Sequence, residues 1–358
     1  MSQIGLVHDY LLVMRGAERS FASIADLWPQ ARIYTALYSE SGTRGRFAGR
    51  RITCSALQRL PLRQRGFRAL LPLFPKAFER LPVGSHDVVI SSSSAFAHGV
   101  RPRPDAAHIC YCYTPFRYAW HERDTALAEV SAPLRPALSL ALRRIRKWDL
   151  EASRRVSHYI AISRLVQDRI ERLYGRESVI VHPPVEVERF SPGQPEEAFV
   201  VVSELVPHKR VEVALEAARR AHRQLKVVGE GPELRRLRAR FPTMEFLGRV
   251  SDEELPGVLA RARALLVPSV EEFGIACVEA QAAGRPVVAL GRGGVLETVI
   301  QGETGILLSN GGVNEFAEVL REVDFDRFDS EAISRHAADF SKARFQERLA
   351  AEVEAALR

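Results

Sequence analysis

Apolar and polar positions alternate in blocks along the chain. Residues 4–11 form an apolar run suited to a buried strand, and 16–28 carry apolar residues at helical spacing. The run 31–38 reads as the next strand. Residues 86–94 and 107–113 read as strands ending in polar positions, and 134–157 as a long basic helix. A strand at 157–163 leads into a helix at 163–175 closed by Gly175, and a strand at 178–185 is stopped by Pro183 and Pro184. A second series then begins. Strands are expected at 198–205, 224–231, 244–250, 264–269 and 286–290. Helices are expected between them at 209–221, 232–241 (opened by Pro232), 252–262 and about 275–284. The last piece, 341–358, is an amphipathic helix. Such alternation predicts parallel sheets with helices on both faces. The two series meet at a proline-rich joint near 183–192. We therefore expect an α/β protein of two Rossmann-like domains, 1–186 and 187–340, facing a central cleft, with 341–358 crossing back to the first.

Composition narrows the class. Of 358 residues, 46% are hydrophobic and 27% charged, ordinary for a globular chain with a large core. No run of about 18 apolar residues is free of charge, so no membrane span is read. His8 and Asp9 sit where a signal peptide would be apolar, so a cytoplasmic protein is expected. Charge is uneven. Residues 1–190 hold 29 Lys and Arg against 17 Asp and Glu, and 191–358 hold 22 against 27. The densest part, 44–80, has ten basic residues and one acidic one, Glu79, among Phe and Leu. Arg63, Arg65 and Arg68 lie in it. That pattern suits an anionic membrane surface and a protein peripheral on the inner face of the cell membrane; a solvated basic face is the plainer alternative. No nucleic-acid-binding signature accompanies it. Cys54, Cys110, Cys112 and Cys277 read as buried thiols. Cys110 and Cys112 are taken to point to opposite faces of one strand, a poor geometry for a disulfide or shared metal.

Candidate chemistry gathers where strands give way to helices, because ligands of open parallel sheets sit at the carboxyl ends of the strands. After the strand ending at Ser269 come Glu271 and Phe273-Gly274, where a missing Cβ allows close approach. A helix starts at about Ile275. Its first amides, on Ile275, Ala276 and Cys277, are expected to be unpaired donors at the positive end of the helix dipole, a natural seat for a sugar phosphate. Glu279, one turn in, can accept two hydrogen bonds from a vicinal diol such as a ribose. Glu271 can hold sugar hydroxyls. A loop charge and an exposed helix residue are the plain alternatives.

The spacing of these two glutamates resembles the Glu-x7-Glu motif of family-four retaining glycosyltransferases. VVSELVPHKRVEVALEAARR, VVGEGPELRRL, FLGRVSDEELPGVLARARALLVPS and GRGGVLETVIQGETGILL follow in that family's order. HICYCYTPFRYAW, YIAISRLVQDRIERLYG with VHPPVEVERF, and FSKARFQERL resemble a bacterial mannosyltransferase-like subgroup. The resemblance covers nearly the whole chain. It implies the two-domain GT-B fold and a nucleotide-diphosphate sugar as donor, GDP-mannose first and a UDP-hexose next. It also implies transfer without a metal. Lys209 matches the lysine that neutralises the leaving diphosphate, the amides of Ile275 and Ala276 hold that diphosphate, Glu279 binds the ribose and Glu271 the sugar. Val250, Ser269, Phe273 and Gly274 join the donor site. Gly16-Ala17 stands where the family has a phosphate-approaching turn, and Ser93, Arg117 and Tyr118 fall on the acceptor side. Two departures stand out. Glu204 replaces a common Arg, with Arg210 as the substitute cation considered, and Tyr113 replaces a His that contacts the sugar.

The expected activity is transfer of a hexosyl unit, mannosyl first, with retained configuration, to a hydroxyl of a lipid-linked saccharide in surface polysaccharide or glycolipid synthesis. A soluble small-molecule acceptor, a nucleotide-sugar epimerase and a non-catalytic sugar-nucleotide binder are the competing readings. Ser91 to Ser94 form a polar strand end without a GxSxG elbow, so no serine-hydrolase triad is read. Asp324 and Asp326 form a DFD triplet in a late polar stretch and are read as solvated charge.

Overall fold

The computed structural model describes residues 3–60, 67–128 and 130–357, without the side chains of 67–69. The chain divides into two compact units, Met1–His182 with Gln346–Arg358, and Pro183–Phe345.

Unit 1 is built on strands β1 (Ile4–His8), β2 (Arg32–Thr35), β3 (Ile52–Cys54), β4 (Val88–Ser93), β5 (Ala107–Cys112), β6 (His158–Ala161) and β7 (Ser178–Ile180). Among the described residues they pair in the order β3-β2-β1-β4-β5-β6-β7, parallel throughout. The central strands are buried on both faces, which is why they read as apolar runs and not as alternation. The helix Gly16–Leu27 follows β1, and the helix Arg164–Tyr174 ends on Gly175 at φ 64°, the left-handed turn that glycine tolerates. The terminal helix Lys342–Ala355 buries Phe345, Leu349 and Val353, spaced by four. From Gln346 onward it belongs to unit 1, and the Gln346 amide donates to the Ser23 carbonyl at 2.9 Å.

Unit 2 carries β8 (Phe199–Val202), β9 (Leu225–Val228), β10 (Glu245–Gly248), β11 (Leu265–Val267), β12 (Val287–Leu290) and β13 (Gly305–Leu308). Their order is β10-β9-β8-β11-β12-β13, again parallel. Phe199, Leu215, Leu266, Val288 and Phe316 lie in one core beneath the flanking helices. The strand order reverses between β8 and β11, and that switch point is where an open α/β sheet offers a crevice.

Several expectations need correction. β3 lies inside the basic stretch 44–80 and was missed, because three half-buried residues flanked by arginines carry no alternation. β13 and the helices Val313–Glu322 and Ser330–Ala337 were missed as well. The helix expected from 209 starts at Val211; Pro207–Lys209 is a separate 3-10 turn, and Arg210 sits at φ 52°. The helix expected over 134–157 spans Arg135–Ser153. Cys110 and Cys112 do not point to opposite faces: positions two apart on a strand share a face. Both thiols are buried and both are free of disulfides.

Buried histidines make the stability of unit 1 depend on pH. Burial lowers His8 to about 4 and His108 to about 3. The unfolded chain binds those protons near pH 6.5, whereas the folded chain resists them until far lower. Stability should therefore fall as the pH drops from 6.5 toward 4, by roughly 3 kcal/mol for His8 alone. His98 runs the other way. Burial opposes its charge, but the hydrogen bond and attraction of Asp149 outweigh it, so its contribution is present below pH 6.5 and lost as the pH rises through the raised folded value. Urea midpoints measured across this range should decline on the acid side, and less steeply in a His108→Gln variant.

Candidate functional site

The switch point of unit 2 gathers the residues singled out in its sequence. The turn after β8 delivers Lys209, and the loop after β11 delivers Ser269 and Glu271. Lys209 Nζ donates to both carboxylate oxygens of Glu271, at 2.8 and 2.6 Å, and Ser269 Oγ donates to Glu271 Oε1 at 2.7 Å. Both members of the pair keep about a fifth of their side-chain surface exposed. A cation held at a sheet's carboxyl edge, with solvent still reaching it, is placed to meet an anionic ligand.

Directly beyond Glu271 the chain turns into the helix Ile275–Ala282. Gly274 precedes it at φ 98°, a conformation that excludes most side chains. Among the described residues the amides of Ile275 and Ala276 have no backbone acceptor, as a helix start requires. The Cys277 amide does not join them: it donates to the Gly274 carbonyl at 2.9 Å, so the expected trio is a pair. Phe273 is buried, and Glu279 lies half-buried one turn inside the helix. Val250 follows β10 at the same edge of the sheet and is half-buried.

Arg210 has a different task from the one considered for it. Its guanidinium donates to the Pro268 carbonyl at 3.0 Å and the Gly311 carbonyl at 2.9 Å. It thus ties the ends of three strands together and holds the Lys209 turn against the Glu271 loop. Glu204, in the same segment, is exposed. A further organiser went unrecognised in the sequence. Gly294, after β12, packs so closely that an added Cβ would lie 2.3 Å from Phe273 Cα and 2.5 Å from the Glu272 carbonyl oxygen. Its amide donates to the Glu271 carbonyl at 2.8 Å, and Glu271 bridges to Gly293. The signal was the Gly-Arg-Gly-Gly run at 291–294, directly after an apolar strand.

Unit 1 has its own cluster at the ends of β1, β4 and β5. His8 Nδ1 lies 3.1 Å from Ser92 Oγ, which lies 2.9 Å from the Tyr113 hydroxyl. That hydroxyl donates to the Ala17 carbonyl at 2.9 Å. Tyr113 therefore braces the first turn of the helix that Gly16 and Ala17 open, and burial drives its hydroxyl far above the ordinary tyrosine range. Its single proton is committed to protein. Glu18 caps the same turn by accepting from the Arg15 amide at 3.0 Å. Asp9 accepts four hydrogen bonds, from Ser94 N and Oγ, Phe96 N and Ala97 N at 2.6 to 2.9 Å, which fixes the loop after β4. Ser93 is buried, 3.2 Å from His98 Nδ1, and is not a polar edge. Arg117 lies 3.8 Å from Glu122, and Tyr118 packs against the unit's core. Asp326 is held by Arg263 at 2.8 and 2.9 Å, while Asp324 caps the Asp326 amide.

Both halves of the chain are similar to known glycosyltransferases. Residues 14–189 match the family model described as Glycosyltransferase Family 4, and residues 196–323 match the model described as Glycosyl transferases group 1. The D-inositol 3-phosphate glycosyltransferase of Streptomyces avermitilis is 31% identical over 267 residues, 63% of this chain and 56% of that protein. A GDP-mannose-dependent monoacylated alpha-(1-6)-phosphatidylinositol monomannoside mannosyltransferase of Corynebacterium glutamicum is 31% identical over 196 residues, 45% of this chain and 51% of that protein. The chain spans about half the length of the curated relatives it matches. The solved structure of Anabaena HepE in complex with UDP and glucose aligns over 99% of this chain and all of that one, with TM-score 0.73 at 17% identity, a likeness of fold. The two parallel-sheet units are those of the GT-B architecture, and each half of the chain is similar to a glycosyltransferase family model, the first half to Glycosyltransferase Family 4.

Proposed function

We propose that this protein transfers a hexosyl unit from a nucleotide-diphosphate sugar to a hydroxyl group, with retention at the anomeric carbon and without a metal. The observation that carries this is the convergence of Lys209, Glu271 and the first amides of Ile275–Ala282 at the switch point of the unit 2 sheet. As the bond from the anomeric carbon to the diphosphate breaks, its electron pair moves onto a phosphate oxygen. Lys209 Nζ and the amides of Ile275 and Ala276 stabilise that growing charge, a task for which preorganised donors are suited. Glu279 accepts from the ribose hydroxyls. Glu271 orients Lys209 in the free protein and turns toward the sugar hydroxyls when phosphate oxygens accept the lysine's hydrogen bonds in its place. The acceptor oxygen attacks from the face the diphosphate leaves, and its proton passes to the departing phosphate oxygen.

A mannosyl donor is favoured by the resemblance to the GDP-mannose-dependent relative, and a UDP-hexose is the second choice. The acceptor is proposed to be a lipid-linked saccharide reached from the cytoplasmic membrane face, in polysaccharide or glycolipid synthesis. Tyr113 is reassigned here to positioning: through Ala17 it fixes the loop and helix start that Gly16 begins. Glu279→Ala supplies the test. It should lower kcat/KM for the donor by well over tenfold, mainly through KM, because a diol contact is lost, and a melting temperature measured alongside separates that loss from any loss of fold. Turnover near that of the wild type would reject the ribose assignment.

A further inference from the structure

The first half of the chain is basic, and the stretch 44–80 was the expected membrane contact. Two arginines of that stretch are engaged within the protein. Arg46 pairs with Asp26 at 2.7 Å, and Arg50 donates to the carbonyls of Ala25 and Trp28 at 3.0 and 2.9 Å. Arg63 and Arg65, and the side chain of Arg68, lie outside the described residues.

A different element presents what that stretch does not. The helix Arg135–Ser153 packs Leu138, Leu142 and Ile145 against the unit 1 core, and Asp149 is buried on the same face. Its other face is exposed and divided along its length. The N-terminal end, with the turn before it, is mostly apolar: Ala132, Pro133, Pro136 and Ala137 are exposed around one cation, Arg135, and Leu134 and Leu140 expose 59% and 50% of their surface. Arg143, Arg144, Arg146 and Lys147 follow, all exposed, with Arg146 stacked over Trp120 at 4.3 Å. From 130 to 148 the sequence has five basic residues and no acidic one. The 3-10 turn Phe67–Leu73, which packs against this helix, adds Leu73, 50% exposed.

We propose that this helix end is a lipid-docking tip for an anionic phospholipid bilayer. The exposed leucines enter the interface, and the arginines and lysine behind them meet the headgroups. The dimensions agree. Leu140 and Lys147 are about 10 Å apart along a helix rising 1.5 Å per residue, comparable to the 5–10 Å to which interfacial apolar faces sink. Among the described residues no helix is long and apolar enough to cross a membrane, so the tip lies at the surface and does not span it. The charge pattern favours this occupant over a protein partner, since an anionic bilayer complements a ring of like charges without needing matched shapes.

Vesicle co-sedimentation of the full chain tests the assignment, with phosphatidylcholine vesicles compared with vesicles enriched in phosphatidylglycerol. Binding should require the anionic lipid and weaken with salt. It should fall by roughly tenfold or more in both Leu134→Ser/Leu140→Ser and Arg143→Gln/Arg144→Gln/Lys147→Gln. All five positions are exposed, so melting temperature and nucleoside diphosphate binding should not change. A Leu140→Trp variant should shift its emission to the blue on anionic vesicles only. Equal binding to both vesicle types, no binding to either at low salt, or wild-type binding by both multiple variants would overturn the proposal. Because no step depends on turnover, failure here leaves the proposed glycosyl transfer untouched.

Discussion

Lys209→Ala is expected to lower kcat/KM by roughly a hundredfold or more, the cost of removing one preorganised charge-stabilising donor. The loss should fall more on kcat than on binding of the nucleoside diphosphate. The phosphate gains charge as the glycosidic bond breaks, so the lysine interacts more strongly with the transition state than with the bound donor. Lys209 precedes the helix Val211–Arg220 and is not part of it, so its removal should leave that helix formed. Steady-state kinetics alongside calorimetric titration of the nucleoside diphosphate separate the two effects. Wild-type kcat in this variant would show that the leaving group departs without the lysine.

The second large effect is structural. Gly294→Val should destabilise unit 2 by roughly 3 kcal/mol or more, since the contacts its Cβ would make are with backbone and cannot be relieved by a rotamer change. The displaced atoms belong to Glu272 and Phe273, between Glu271 and the helix that starts at Ile275. Activity should therefore disappear even at temperatures where the variant remains folded. Gly302→Ala is the matched control: it lies at φ 82° but has open space around it, so it should cost strain without moving the site. Denaturation curves and donor turnover measured on both variants would distinguish a displaced site from general instability.

How much of this was legible in the sequence depended on which force fixes each residue. The double series of apolar strands and amphipathic helices was readable because the central strands of both sheets are buried on both faces, leaving continuous apolar runs. β3 was not, because its three residues are only half-buried and owe their strand conformation to pairing with β2. Lys209 and Glu271 lie 62 residues apart, and their order could be matched to a family. Their direct ion pair follows from the adjacency of β8 and β11, which no local pattern encodes. Arg210 shows the limit most clearly. Beside a candidate phosphate site, an arginine invites an electrostatic role, yet its guanidinium donates to two carbonyls supplied by loops distant in sequence. Tyr113 was placed near the sugar through the histidine it replaces, and only the tertiary contact with Ala17 shows where its proton goes. The face of Cys110 and Cys112, by contrast, was legible and misread: strand geometry alone puts the two thiols together.

The central claim concerns one place in unit 2, where Lys209 and the amides of Ile275 and Ala276 receive a diphosphate. A crystal structure with UDP or GDP bound tests it most directly. Both phosphates are expected within hydrogen-bonding distance of that lysine and those two amides, with the ribose against Glu279. Phosphates bound at any other strand end, with the Lys209–Glu271 pair undisturbed, would contradict it.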